Sequence, residues 1–149
     1  MAYQSIEDVT RKMEHYCAYQ ERSHYQVEKK LREMQIIPQA IDHIILHLLQ
    51  HDFLNEERFA RAYVRGKFYQ KQWGKRKIIN GLYLHKIHQK LIDKALSEIE
   101  EADYQNTIRQ LIDKKKARLK TGNSYTNRQK LIKYLLQKGY AFEDFIDYL

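Results

Sequence analysis

Histidines stand at positions 43, 47 and 51, four residues apart, within IDHIILHLLQH. On a helix that spacing stacks imidazoles along one face, an arrangement from which zinc can take ligands. Ile41, Ile44, Ile45 and Leu48 mark the opposite, apolar face, so a solvated polar stripe accounts for the same histidines without a metal. We assign no metal. Cys17 is the only cysteine. A thiol nucleophile needs a fixed base beside it, none is evident, and Cys17 reads as a small, partly buried apolar residue. GKRK (74–77) lacks the spacing of a phosphate-binding loop. No acid–base set converges in the sequence, so neither catalysis nor a cofactor is expected.

The other chemistry available is charge. HDFLNEERFARAYVRGKFYQKQWGKRKI (51–78) carries eight Lys or Arg after Glu57, with aromatic residues among them. On a helix, Phe59, Ala62, Tyr63 and Gly66 share one face, and Arg58, Arg61 and Arg65 fall on the other. Phe59 and Tyr63 therefore read as core, and the arginines as a solvent-facing stripe able to pair with phosphate or carboxylate. KFYQKQWGKRK (67–77) reads as a basic connection between helices, with two exposed aromatics and Trp73 beside a cap at Gly74. Trp73 would either meet a nucleic-acid base or staple the connection to the core. The candidate binding residues are Arg58, Arg61, Arg65, Lys67, Lys71, Trp73, Lys75, Arg76 and Lys77. LIDKKKARLK (111–120) is a weaker second patch, because Leu111, Ile112 and Leu119 make it an amphipathic helix with solvated cations.

The charge is localised. Residues 1–50 carry net −1, residues 51–90 net +7 and residues 91–149 net +2, within a total of +8 over 149 residues. Excess charge gathered in the middle third implies an anionic partner surface. One Pro, five Gly and abundant Leu, Ile, Lys, Glu and Gln favour helix. No apolar run approaches the roughly 20 residues of a membrane span, and MAYQSIEDVTRKM at the N-terminus has no signal-type apolar stretch. A cytoplasmic protein with no membrane association is expected.

A repeat organises the helices. When Val27, Ile78 and Leu131 are aligned, apolar or aromatic residues coincide at four further offsets: Leu31, Leu82 and Leu135; Ile36, Ile87 and Tyr140; Ile41, Ile92 and Phe145; Ile45, Leu96 and Leu149. Ser23, Gly74 and Asn127 precede each alignment point as N-caps, and Ser23 with Gln26 fits a capping box. Pro38 suits a helix first turn and Gly139 a helix end. Further helices are predicted upstream: Ile6 to Tyr19, one capped by Asn55, and Tyr104 to Lys120. TGNSYTN (121–127) reads as a loop and EIEEAD (98–103) as a joint. The fold expected is all-α, three tandem three-helix repeats (1–50, 51–100 and 101–149) in an elongated, curved array.

FLNEERFARAYV (53–64), WGKRKI (73–78) and LIDKAL (91–96) resemble the central motif of the RecX family, regulators of the RecA recombinase. Arg22-Ser23 and Lys30-Leu31 resemble its first-repeat pattern, and LLQKGYAFEDFIDYL (135–149) resembles its C-terminal one. The family's Lys-Gly pair before the aligned Ile is His85-Lys86 in the second repeat and Met34-Gln35 in the first. Only the third repeat keeps it, as Lys138-Gly139, and His24 stands where the family usually has Glu. These departures touch turns and caps. The resemblance implies a non-enzymatic monomer that binds RecA and its filament on single-stranded DNA, inhibits recombinase and coprotease activity in DNA repair, and in some members contacts DNA. The residues alone leave two other readings: a DNA-binding helical module without a dedicated protein partner, and a structural adaptor.

Overall fold

A computed structural model describes residues 5–119 and 122–149. All regular structure among them is helical: α1 (Ile6–Tyr19), α2 (His24–Glu33), α3 (Pro38–Gln50), α4 (Glu56–Arg65), α5 (Lys75–Leu84), α6 (Gln89–Leu96), α7 (Glu101–Arg118), α8 (Ser124–Lys138) and α9 (Phe142–Phe145). A π-helical turn, Gly66–Gln70, extends α4, and a 3-10 turn, Ile146–Tyr148, follows α9. The helices form three-helix repeats, as the aligned apolar positions require. Twelve of the fifteen aligned residues are buried, and Ile36, Leu96 and Leu149 are half-buried against the core.

The caps explain the boundaries. The Ser23 hydroxyl accepts from Gln26 N–H while the Gln26 side chain accepts from Ser23 N–H, which closes the capping box. Asn55 caps α4 by accepting from Arg58 N–H, and Pro38 opens α3. Three expectations need correction. The cap of α8 is Asn123, not Asn127; Asn127 lies in the helix and its amide donates to Leu119 O at 2.9 Å. α7 begins at Glu101, because Glu101 and Asp103 complement the first-turn dipole. The stretch 67–77 is not all connection. The π turn carries the helix to Gln70 and turns Phe68 inward, 1% exposed, with its ring centroid 5.5 Å from that of Tyr104. Met1–Gln4, Lys120 and Thr121, which touch the expectations for the N-terminus, the end of α7 and the 121–127 loop, lie outside the described residues.

The helix ends before the aligned Ile, Ile and Tyr are the same turn three times. Ile36 N–H donates to Leu31 O, Ile87 N–H to Leu82 O and Tyr140 N–H to Leu135 O, each at 3.1 Å. One residue earlier, Gln35, Lys86 and Gly139 donate to Arg32 O, Tyr83 O and Leu136 O. This paired pattern is the Schellman end, which needs a left-handed residue. Its φ is +61° at Gln35, +58° at Lys86 and +103° at Gly139. The departures from Gly therefore change the residue and leave the turn intact, at a steric cost of roughly 1–2 kcal/mol each.

Two cores result. The first repeat closes its own around Val9, Met13, Val27, Leu31, Ile44 and Leu48. The second and third repeats share one continuous core, from Phe59 and Phe68 through Ile78, Leu82 and Ile92 to Tyr104, Leu135, Tyr140 and Phe145.

Candidate binding surface

The arginine stripe of α4 lies on one face, but its charges are already used. Arg58 Nε sits 2.7 Å from a Glu21 carboxylate oxygen, its Nη1 lies 3.0 Å from Asp52, and it also donates to Asp52 O. Arg61 pairs with Glu57 and Glu98, each at 3.3 Å. Arg65 pairs with the same Glu98. The Arg65 hydrogen bond above all, with the charges of both arginines, holds the Glu98 carboxyl below the usual carboxylate range. Arg58 and Arg61 are half-buried, so the solvent-facing reading of the stripe is corrected for both. Arg58 joins the first repeat to the second, and Arg61 with Arg65 ties α4 to the end of α6. Lys75 is likewise engaged, 3.6 Å from Glu101 and over the Tyr104 ring at 4.5 Å.

The remaining candidates gather elsewhere. Lys67 lies 4.7 Å from the Trp73 ring centroid and Lys77 lies 4.4 Å from it. The indole is half-buried and packed on the core, so Trp73 both staples the connection and supports two cations. Lys71 and Arg76 are exposed beside it, without an ion pair among the described residues.

What the sequence did not reveal is the continuation into the third repeat. Lys138 Nζ donates to Lys71 O at 3.4 Å, and burial together with nearby Lys77 pushes its ammonium below the usual lysine range. Lys138 and Lys115 flank the Tyr134 ring at 5.9 and 4.9 Å. The order in space is Lys67, Trp73, Lys77, Lys138, Tyr134, Lys115: two aromatic rings, each flanked by two cations, across two repeats. No local spacing could announce this strip, since Lys77 and Lys138 are 61 positions apart in the numbering.

The joint that builds it is made of backbone. Gly74 N–H donates to Lys138 O at 2.8 Å and Arg76 N–H to Gly139 O at 3.0 Å, while Lys75 N–H donates to the Tyr104 hydroxyl at 3.0 Å. The N-terminus of α5 is thus closed by the C-terminus of α8, and donors left free by one helix meet carbonyls left free by the other. A Cβ on Gly74 would overlap the Gly139 carbonyl, and one on Gly139 would overlap the Lys77 side chain. Glycine is required on both sides for the helix ends to approach this closely. Lys75, Arg76 and Lys77 occupy the first turn of α5, which has no acidic residue. Cations there oppose the helix dipole by about 0.3–1 kcal/mol each, a cost offset at Lys75 by Glu101 and the Tyr104 ring and at Lys77 by the Trp73 ring.

The alternative chemistries gain no site. His47 lies 2.7 Å from Glu14 and its ring stacks near that of His51, and among the described residues no three His, Cys, Asp or Glu side chains form a metal set. Cys17 is buried, and burial pushes its thiol up to about 11, which keeps it protonated at neutral pH. No helix among the described residues is long and apolar enough to cross a membrane.

An all-α array of three-helix repeats with a localised basic strip defines a class of helical-repeat proteins, and the comparisons narrow it. Residues 55–96 match the family model for the second three-helix domain of RecX, and residues 101–149 that for the third. The regulatory protein RecX of Halalkalibacterium halodurans is 28% identical over 127 residues, covering 85% of this chain and 48% of its own length. That of Clostridium acetobutylicum is 31% identical over 127 residues, covering 80% and 56%. The crystal structure of RecX from Lactobacillus salivarius superposes with a TM-score of 0.82 at 25% identity over 93% of this chain and 90% of that one. A second RecX crystal structure gives 0.86 at 22% identity over 94% and 70%, a likeness of fold. The chain belongs to the RecX family, whose curated members are named regulatory proteins. It spans about half the length of these two curated relatives.

Proposed function

We propose that this chain restrains RecA by docking, through its basic strip, on the RecA filament assembled on single-stranded DNA. It acts in the cytoplasm, as a monomer, by binding and not by catalysis. The observation that carries the reading is the strip itself, Lys67–Trp73–Lys77–Lys138–Tyr134–Lys115, flanked by exposed Lys71 and Arg76. Family membership supports RecA as the partner, and the strip supports an extended anionic contact, because its cations are held by aromatic rings and, among the described residues, not paired with carboxylates. Arg58, Arg61, Arg65 and Lys75 contribute differently: their internal ion pairs position the helices that carry the strip.

A second reading is direct nucleic-acid binding without a dedicated protein partner. The rings set among cations favour it, since phosphates pair with cations while bases stack on rings. Titration against RecA–DNA filament, RecA alone and naked single-stranded DNA, at two salt concentrations, separates the two. Filament docking is expected to bind the filament most tightly and to weaken with salt. Equal affinity for naked DNA would move the reading to the second.

A further inference from the structure

The backbone on both sides of Trp73 is held from the third repeat. Lys71 O accepts from Lys138 Nζ at 3.4 Å, and Gln72 O accepts from the Tyr140 hydroxyl at 2.8 Å. Gly74 N–H donates to Lys138 O, Lys75 N–H to the Tyr104 hydroxyl and Arg76 N–H to Gly139 O. Trp73 N–H donates within its own repeat, to Lys67 O at 3.0 Å.

This turn is a widened form of the Schellman ends. In those, the left-handed residue donates to the carbonyl three positions back and the next residue to the carbonyl five back. Here Gln72, with φ +59°, donates four back, to Phe68 O at 2.9 Å, and Trp73 donates six back. The π turn supplies the extra residue in both rings. It leaves the carbonyls of Lys71 and Gln72 to partners from elsewhere, and Lys138 and Tyr140 take them.

Tyr104 and Tyr140 are 2% and 0% exposed, with ring centroids 5.3 Å apart. Packing asks only for their rings, and Phe would fill nearly the same space. A buried hydroxyl costs free energy unless it is hydrogen-bonded, so the partner that each hydroxyl reaches indicates its role. Tyr140 donates to the residue just before Trp73, and Tyr104 accepts from the second residue after it. Burial raises both phenols well above the ordinary tyrosine range, so each keeps its proton.

We propose that Tyr104 and Tyr140 are positioning residues for the anionic partner: their hydroxyls clamp the turn that presents Trp73, so the third repeat sets the shape of the strip in the second. The inference rests on the reading of the strip as an anionic contact and adds what fixes its geometry. Lys67 and Lys77 lie 4.7 and 4.4 Å from the Trp73 ring centroid, so both cations take their place from the indole. Neither hydroxyl touches the partner. The clamp orders the turn before binding, and binding then loses less freedom in ordering it.

The test uses the full chain carrying Tyr140→Phe, Tyr104→Phe or both, each checked for folding by circular dichroism. Trp73 is the only tryptophan, so fluorescence of the free chain reports this turn alone. Acrylamide quenching of Trp73 is expected to rise in both single variants. Affinity for the RecA filament on single-stranded DNA is expected to fall by about threefold or more, and further in the double variant. Ile108→Val removes one buried methyl from the same core and controls for stability alone, with quenching and affinity unchanged. Tyrosine variants that bind as Ile108→Val does overturn the positioning role, and so does a loss of affinity without a change in quenching. If the double variant does not fold, the single variants decide. Lys67→Glu with Lys77→Glu and Lys138→Glu is titrated alongside. If it loses binding while the tyrosine variants keep theirs, the strip stands and the positioning role falls. If it binds as the unaltered chain does, the reading of the strip fails and the positioning role fails with it.

Discussion

At the scale of single residues, side chains stand where the backbone asks for glycine. Gln35 and Lys86 hold left-handed φ at the Schellman ends of α2 and α5. Gln35→Gly is expected to stabilise the chain by up to about 1 kcal/mol in urea denaturation, the strain relieved being offset in part by the freer unfolded chain. Lys86→Gly gains less, because its ammonium leaves the Tyr25 ring, a contact of about 0.5–1 kcal/mol. A loss of stability at Gln35 would mean the turn is not strained. Leu82, fully buried, tests the repeat alignment: Leu82→Ala is expected to cost about 2–5 kcal/mol, and a cost near zero would misplace it. Such positions were legible in the sequence because apolar residues recur at a fixed spacing whatever they pack against. The fate of Arg58, Arg61 and Arg65 was not. Their face follows from the helical period, but Glu21 and Glu98, each 37 positions from an arginine they bind, reach them only through the fold.

At the scale of elements, the joint between α5 and α8 is decisive. Gly139→Ala puts a Cβ at φ +103° and against Lys77, and Gly74→Ala puts one against the Gly139 carbonyl. Each is expected to destabilise by about 2 kcal/mol or more, since the obstacles are backbone or the root of a side chain and cannot swing aside. Gly66, in the π turn with φ −65° and nothing within 4 Å of a Cβ, is the control. Gly66→Ala is expected to be neutral or stabilising by up to about 1 kcal/mol. If all three behave alike in thermal denaturation, close approach does not govern the joint. The sequence announced Gly74 and Gly139 as helix punctuation but not as partners, because capping is local and their pairing is tertiary. The π turn escaped for a similar reason: what holds Phe68 inward is Tyr104, from the next repeat.

At the scale of the molecule, the charge gathered in the middle third divides into a structural part and a presented part. Reversing Arg58, Arg61 or Arg65 would break internal pairs, so loss of binding in such variants would not identify a contact. The presented part is Lys67 and Lys77 at Trp73 with exposed Lys71 and Arg76, and Lys138 of the third repeat, at Tyr134, extends it. The two cores also differ in how they open: in hydrogen exchange of the full chain, the second and third repeats are expected to open together and the first on its own. The most direct test of the proposed docking is the affinity for RecA–DNA filament of the triple variant Lys67→Glu, Lys77→Glu, Lys138→Glu. Its match is Lys12→Glu, Lys29→Glu, Lys90→Glu, three exposed cations off the strip with the same change in net charge. The strip variant, shown folded by circular dichroism, is expected to lose binding by about tenfold or more, roughly 1.4 kcal/mol, while the matched variant stays within about threefold of the unaltered chain. Equal losses in both, or unaltered binding by a folded strip variant, would contradict docking through the strip.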